Sequence, residues 1–146
     1  MPEPPSASAA RVVTTAAATS ALAPLASTFV VVALPEMLLG LDASLAWGAW
    51  VVIAYLVAMA AVQPVAGAAG DRFGRERVLA AGLAGFVAAS LVAAVAPNVI
   101  VLILARVGQA LTGGAAIPNG VALVRARLPA AAQGRALGTI AILVGV

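Results

Sequence analysis

Charged residues divide the chain into long uncharged runs. Val12–Pro35 holds 24 residues without a charge, and Ala43–Gly70 holds 28, most apolar from Trp47 to Gly67. Val78–Ala96 adds 19, closed by Pro97-Asn98, and Val99–Val124 adds 26 interrupted only by Arg106. A bilayer core ~30 Å thick takes about 20 residues of apolar helix, so each run is long enough to cross once. Helix is the expected form because lipid offers no partner to unpaired backbone groups. The expected spans are about 13–35, 47–67, 78–96 and 99–122, preceded by a tail over residues 1–11. A fifth run, 136–146, reaches only about 16 Å at 1.5 Å per residue, so it is expected to be part of a span. The fold class predicted is an all-α membrane protein. For the first run there is a rival: Arg11, the apolar stretch and the small residues Ala21-Leu22-Ala23 also fit a secretory signal peptide. Its length and the three spans that follow favour an uncleaved helix.

Composition narrows the function classes. The chain is 64% hydrophobic and 9% charged, far from the roughly 45–50% and 25% of soluble domains. That balance excludes an ordinary soluble domain, a disordered segment and a nucleic-acid binder. With no Cys and no His, disulfides, thiol redox chemistry, Cys/His zinc sites and His-ligated haem are excluded as well. No metal or cofactor site, nucleophile–base pair or phosphate-cradling loop is found, so an enzyme is not expected. The net charge of +3 comes from eight arginines, no lysine and five acids, and their placement matters more than their sum. Arg11, then Arg72, Arg75 and Arg77, then Arg125, Arg127 and Arg135 fall on one side of the expected spans. The opposite connections carry Glu36, Asp42 and Pro97-Asn98 and no arginine. Positive residues mark the cytoplasmic side, which puts the amino terminus inside the cell, with Trp47 and Trp50 in an outer aromatic belt.

Polar residues within the spans are the candidates for chemistry. Arg106 lies eight residues past Asn98, about 12 Å along the helix. An arginine at a span's centre costs roughly 2.5–3.5 kcal/mol to insert. It is read as facing the bundle interior or an aqueous cavity; the plainer reading is a brace for neighbouring carbonyls. Gln109, Ala110, Gly113 and Ile117 share its helix face, and Pro118 is expected to kink the helix. Ser20, Pro24, Ser27 and Thr28 form a stripe on span 1, and Tyr55, Met59 and Gln63 one on span 2. Both fit a substrate path or plain interhelical packing. Span 3 reads as Ala, Gly, Val and Leu facing lipid or other helices, with no chemistry. No carboxylate lies inside any of the four runs.

Between spans 2 and 3 stands Gly67-Ala68-Ala69-Gly70-Asp71-Arg72-Phe73-Gly74-Arg75-Glu76-Arg77. This resembles the loop signature of the major facilitator superfamily, Gly-x-x-x-Asp-Arg-x-Gly-Arg followed by basic residues. Gly67 suits close helix approach, and Gly74 suits a positive φ. Trp50-Val51-Val52-Ile53-Ala54-Tyr55 is similar to the family's span 2 opening, and Leu102-x-x-x-Arg106-x-x-Gln109 resembles its span 4 signature. Gln133-Gly134-Arg135-Ala136-Leu137-Gly138 looks like the start of its span 5. Leu25–Pro35 is similar to the end of span 1 in the drug:proton antiporters, the fourteen-span branch above all. Three departures stand out. Ala26 occupies a position that is usually aspartate in that branch, Ala110 and Thr112 stand where glycines are expected, and Glu76 interrupts the basic run.

The resemblance implies that 12–146 is part of an N-terminal six-helix transporter bundle in the plasma membrane. It implies proton-coupled efflux of drugs or other small molecules by alternating access. Its partners would be the lipid bilayer, a small-molecule substrate, protons and the C-terminal half of the transporter. Arg106 and Gln109 then belong to the proton/substrate coupling network, and Tyr55, Gln63, Ser27 and Thr28 are candidates to line the cavity. Gly67, Asp71, Arg72, Gly74, Arg75 and Arg77 form the cytoplasmic loop motif that gates contacts between halves. The alternatives are a carrier of a metabolite or sugar, or a truncated membrane protein that transports nothing by itself.

Overall fold

A computed structural model describes residues 25–144. The helices are α1, Leu25–Gly40; α2, Leu45–Phe73; α3, Arg75–Ala94; α4, Val99–Gly113; α5, Ala116–Arg127; and α6, Ala130–Val144. No strand occurs among the described residues. Three stretches are long and apolar enough to cross a membrane: α2, α3, and α4 with α5 taken together as Val99–Arg127. The first expected span begins before the described residues. Its described part, α1, runs through Pro35 and Glu36 to Gly40.

Helices outrun their apolar runs wherever a charge can sit at the end of a turn. At 29 residues α2 is about 44 Å long, well beyond a ~30 Å hydrocarbon core. Its last turn carries Asp71 and Arg72, so these residues are helical and do not form a loop. The whole connection to α3 is Gly74, with φ 94°, a conformation that a side chain would strain. Similarly α6 starts at Ala130, ahead of Arg135, because alanines after Pro129 propagate a helix whatever charge follows. The Asn98 side chain caps α4, its Oδ1 accepting from the Val101 N–H at 3.0 Å.

Pro118 acts at a distance. Lacking an N–H, it leaves the Gly114 carbonyl without its helical partner, and the regular helix is interrupted at Gly114-Ala115 between α4 and α5. Both residues keep helical backbone angles, so α4 and α5 run on as one stretch, Val99–Arg127.

Packing centres on α4, which lies against both α2 and α3, while α5 continues along the same two helices and contacts α6. One apolar cluster joins Leu38, Val51, Val99 and Leu102; a second, at the arginine-rich end, joins Leu79, Ala116 and Leu123. The α3–α4 contact is close because α3 supplies the glycines. A methyl group at Gly82 would sit 2.7 Å from the Thr112 carbonyl oxygen, and one at Gly85 would sit 2.5 Å from Thr112 Cγ2. The threonine that replaces an expected glycine on α4 is thus accommodated by glycines opposite. Large apolar side chains point outward along α1, α2 and α3, among them Phe29, Leu56, Val57 and Leu91, as helices bathed in lipid require.

Candidate functional site

Arg106 is the largest fully buried side chain of the described residues, 1% exposed. The α4 spacing that places Leu102, Ala105, Gln109, Ala110 and Gly113 on the buried face carries Arg106 inward with them. Its guanidinium lies 4.0 Å above the centroid of the Tyr55 ring on α2. Nη1 donates to Gln109 Oε1 at 2.8 Å, and Nη2 donates to Ser27 Oγ on α1 at 3.4 Å. Gln109 Nε2 donates to Ser90 Oγ on α3 at 2.8 Å, and Ser90 donates to the Phe86 carbonyl at 2.7 Å. Arg106 Nε is buried and has no acceptor among the described residues.

The cluster therefore gathers side chains from α1, α2, α3 and α4 around one cation, using neutral partners. Neither ion pair among the described residues involves Arg106, and Glu36, Asp42, Asp71 and Glu76 are all exposed. A desolvated cation–π contact is worth about 2 kcal/mol, and a hydrogen bond to a charged group about 1.5–3 kcal/mol. Together they offset the insertion cost of roughly 2.5–3.5 kcal/mol. Among the described residues, no carboxylate takes part in holding the charge.

A second constellation lies at the arginine-rich end. Arg75 on α3 pairs with Asp71, one turn back across the Gly74 corner. Glu76, the residue that interrupts the basic run, accepts from Arg127 Nη2 at 2.6 Å and ties α3 to α5. Arg72 stacks over Phe73 at 5.4 Å. Arg75 and Arg125 flank an open groove walled by Pro118, Val121, Ala122 and Ala126. The close approach of α2 to α5 falls at Gly70: a methyl there would lie 1.7 Å from Asn119 Oδ1. At Gly67 it would lie 4.0 Å from Pro118 Cβ, an ordinary contact. The sequence expectation that Gly67 makes the close approach is corrected to Gly70. Asn119, fully buried, donates from Nδ2 to the carbonyls of Ala66 and Ala115, each at 2.9 Å.

Of the expected candidates, Arg106, Gln109, Tyr55 and Ser27 meet in one cluster. Gln63 does not join it: eight residues past Tyr55 on α2, it stands about 12 Å further along. Thr28 is exposed. Asp71, Arg72, Gly74 and Arg75 meet at the corner, and Arg77 is exposed beside it. Ser20 and Pro24 of the span 1 stripe lie outside the described residues. Three residues escaped sequence reasoning: Ser90, Gly70 and Asn119. Ser90 and Asn119 carried a signal, each being a polar side chain in an apolar run, and Ser90 gives α3 a polar contact with the cluster that the composition of span 3 did not suggest. No group of metal-ligating side chains occurs among the described residues.

The sequence profile described as Major Facilitator Superfamily matches residues 16–146. Over 104 residues the chain is 38% identical to the uncharacterized MFS-type transporter YvkA of Bacillus subtilis (strain 168), covering 71% of this chain and 23% of that protein. It is 39% identical over 98 residues to the multidrug resistance protein B homolog of Mycobacterium tuberculosis (strain ATCC 25618 / H37Rv), covering 67% and 17%. With the tetracenomycin C resistance and export protein of Streptomyces glaucescens it shares 34% over 119 residues, covering 82% and 22%. The chain spans less than a quarter of the length of these relatives.

Proposed function

Because the chain belongs to the Major Facilitator Superfamily, we propose that it supplies N-terminal helices of a secondary transporter exporting drug-like small molecules in exchange for protons. Membership makes it an all-α, multi-pass membrane segment of a transporter family. The export reading draws on relatives named for multidrug resistance and for tetracenomycin C resistance and export. In it, two bundles rock about a central site, and the remaining half of the transporter completes the cavity lined by Tyr55, Gln63, Ser27 and Thr28.

One observation carries the mechanism: a buried guanidinium whose partners among the described residues are neutral, Gln109, Ser27 and the Tyr55 ring. Its field is not cancelled locally. An acid brought within about 4–6 Å of it becomes easier to deprotonate, and one carried away becomes harder. Movement of a carboxylate relative to Arg106 therefore converts a change in bundle position into proton release or uptake. In this reading the membrane is the plasma membrane, and seven arginines at alternate connections support an orientation with the amino terminus and the Gly74 corner on the cytoplasmic side. There Asp71, Arg72, Gly74, Arg75 and Arg77 present a rigid charged end, with the adjoining groove between Arg75 and Arg125, against the other half.

The test is ethidium efflux from energised cells expressing the full-length transporter. Arg106→Ala removes contacts worth at least about 1.5 kcal/mol, so efflux falls by tenfold or more at unchanged membrane level. Arg106→Lys keeps the charge and loses the fork, leaving partial activity. Wild-type efflux by Arg106→Ala would contradict the reading.

A further inference from the structure

We propose that Ser90 is a positioning residue for Arg106: it fixes which end of the Gln109 amide faces the guanidinium. This rests on the reading of Arg106 as the coupling charge. A serine hydroxyl has one hydrogen to donate and lone pairs to accept. The Phe86 carbonyl, 2.7 Å from Ser90 Oγ, is an acceptor only, so that hydrogen is spent on it. Whatever end of Gln109 lies 2.8 Å from Oγ must then donate, and it is the NH₂. The opposite end, Oε1, is left 2.8 Å from Arg106 Nη1, and a guanidinium accepts nothing.

The order of donors thus runs one way, from Arg106 through Gln109 and Ser90 to a backbone carbonyl of α3. A flipped amide would set NH₂ against a guanidinium N–H, and a carbonyl against a hydroxyl with no hydrogen left. Gln109 is 5% exposed, too enclosed for water to repair either contact. The guanidinium depends on this order. Its other bond among the described residues, to Ser27, is long at 3.4 Å, and its Nε has no acceptor among them. Without Ser90 the Gln109 NH₂ loses its acceptor on α3, so the amide is held from one side only and its short bond to Arg106 is less firmly placed.

The experiment measures ethidium efflux and melting midpoint in the full-length transporter for Ser90→Ala, Ser90→Thr, Gln109→Leu, Arg106→Ala and the pairwise combinations. Ser90→Ala is expected to lower the maximal rate about three- to tenfold with KM unchanged. Ser90→Thr restores it, since threonine Oγ1 makes the same bond to the carbonyl one turn back. In the Gln109→Leu background Ser90→Ala adds nothing. Ser90 and Arg106 are linked only through Gln109, so their effects on the melting midpoint are expected to be non-additive, and the coupling vanishes with Gln109→Leu. That readout needs no substrate. Should Ser90→Ala not reach the membrane, Ser90→Val, which has the shape of threonine without its hydroxyl, carries the same prediction. Wild-type efflux by Ser90→Ala beside an inactive Arg106→Ala, or additivity of the two midpoints, overturns the role of Ser90 alone. Wild-type efflux by Arg106→Ala overturns the coupling reading and the Ser90 role with it.

Discussion

Gly70 and Asn119 show how tightly one contact can be set by two residues. Asn119 bridges two carbonyls with its amide nitrogen, which presses Oδ1 against α2, where only a hydrogen atom fits. Gly70→Ala places a methyl 1.7 Å from that oxygen, so the helices must separate or Asn119 must let go of its carbonyls, at a cost of roughly 1–3 kcal/mol. Melting midpoints in detergent are expected to fall for Gly70→Ala and to recover in part in Gly70→Ala/Asn119→Ala, because the second change removes the colliding atom. An unchanged midpoint for Gly70→Ala would show that the crossing is looser than described. At this scale the sequence was legible where a residue violates its surroundings. Arg106 in an apolar run announces itself, and Gln109 follows from the helical period. Gly70 does not, since 14 glycines are present and only the three-dimensional crossing says which one meets Asn119.

Elements were legible in kind and less so in extent. Runs between charges located the helices because lipid penalises charge. Yet a charge penalises only the buried part of a helix, so backbone continues past Asp71 and begins ahead of Arg135. The joint between α2 and α3 reduces to Gly74, at φ 94° with nothing within 4 Å of where a side chain would start. Any substitution there therefore reports backbone strain without a steric clash. Gly74→Val is expected to lower stability by about 1–3 kcal/mol, read as a lower melting midpoint with helix content retained. No loss would mean that the corner relaxes to another conformation. The α3–α4 contact is a case where sequence comparison alone points the wrong way. Thr112 looks like a disruption of close packing until Gly82 and Gly85 are seen to receive it.

For the molecule as a whole, the described helices share a bundle in which apolar surface faces out, one cation is enclosed and charges gather at one end. Composition and the runs between charges were enough to read this class of protein, since both follow from the cost of charge in lipid. Cavity shape and cargo were not legible, because those depend on side chains from several helices meeting in space. Topology is the premise beneath the coupling reading: a guanidinium between two faces of a membrane acts on proton movement only if those faces are opposite. The most direct test uses single cysteines, Pro97→Cys in the α3–α4 connection and Glu76→Cys beside the Gly74 corner, introduced into the full-length transporter freed of other cysteines. They are reacted in intact cells with a membrane-impermeant maleimide. Labelling of Pro97→Cys at once, and of Glu76→Cys only after the membrane is permeabilised, is the predicted result; labelling of Glu76→Cys in intact cells would contradict it.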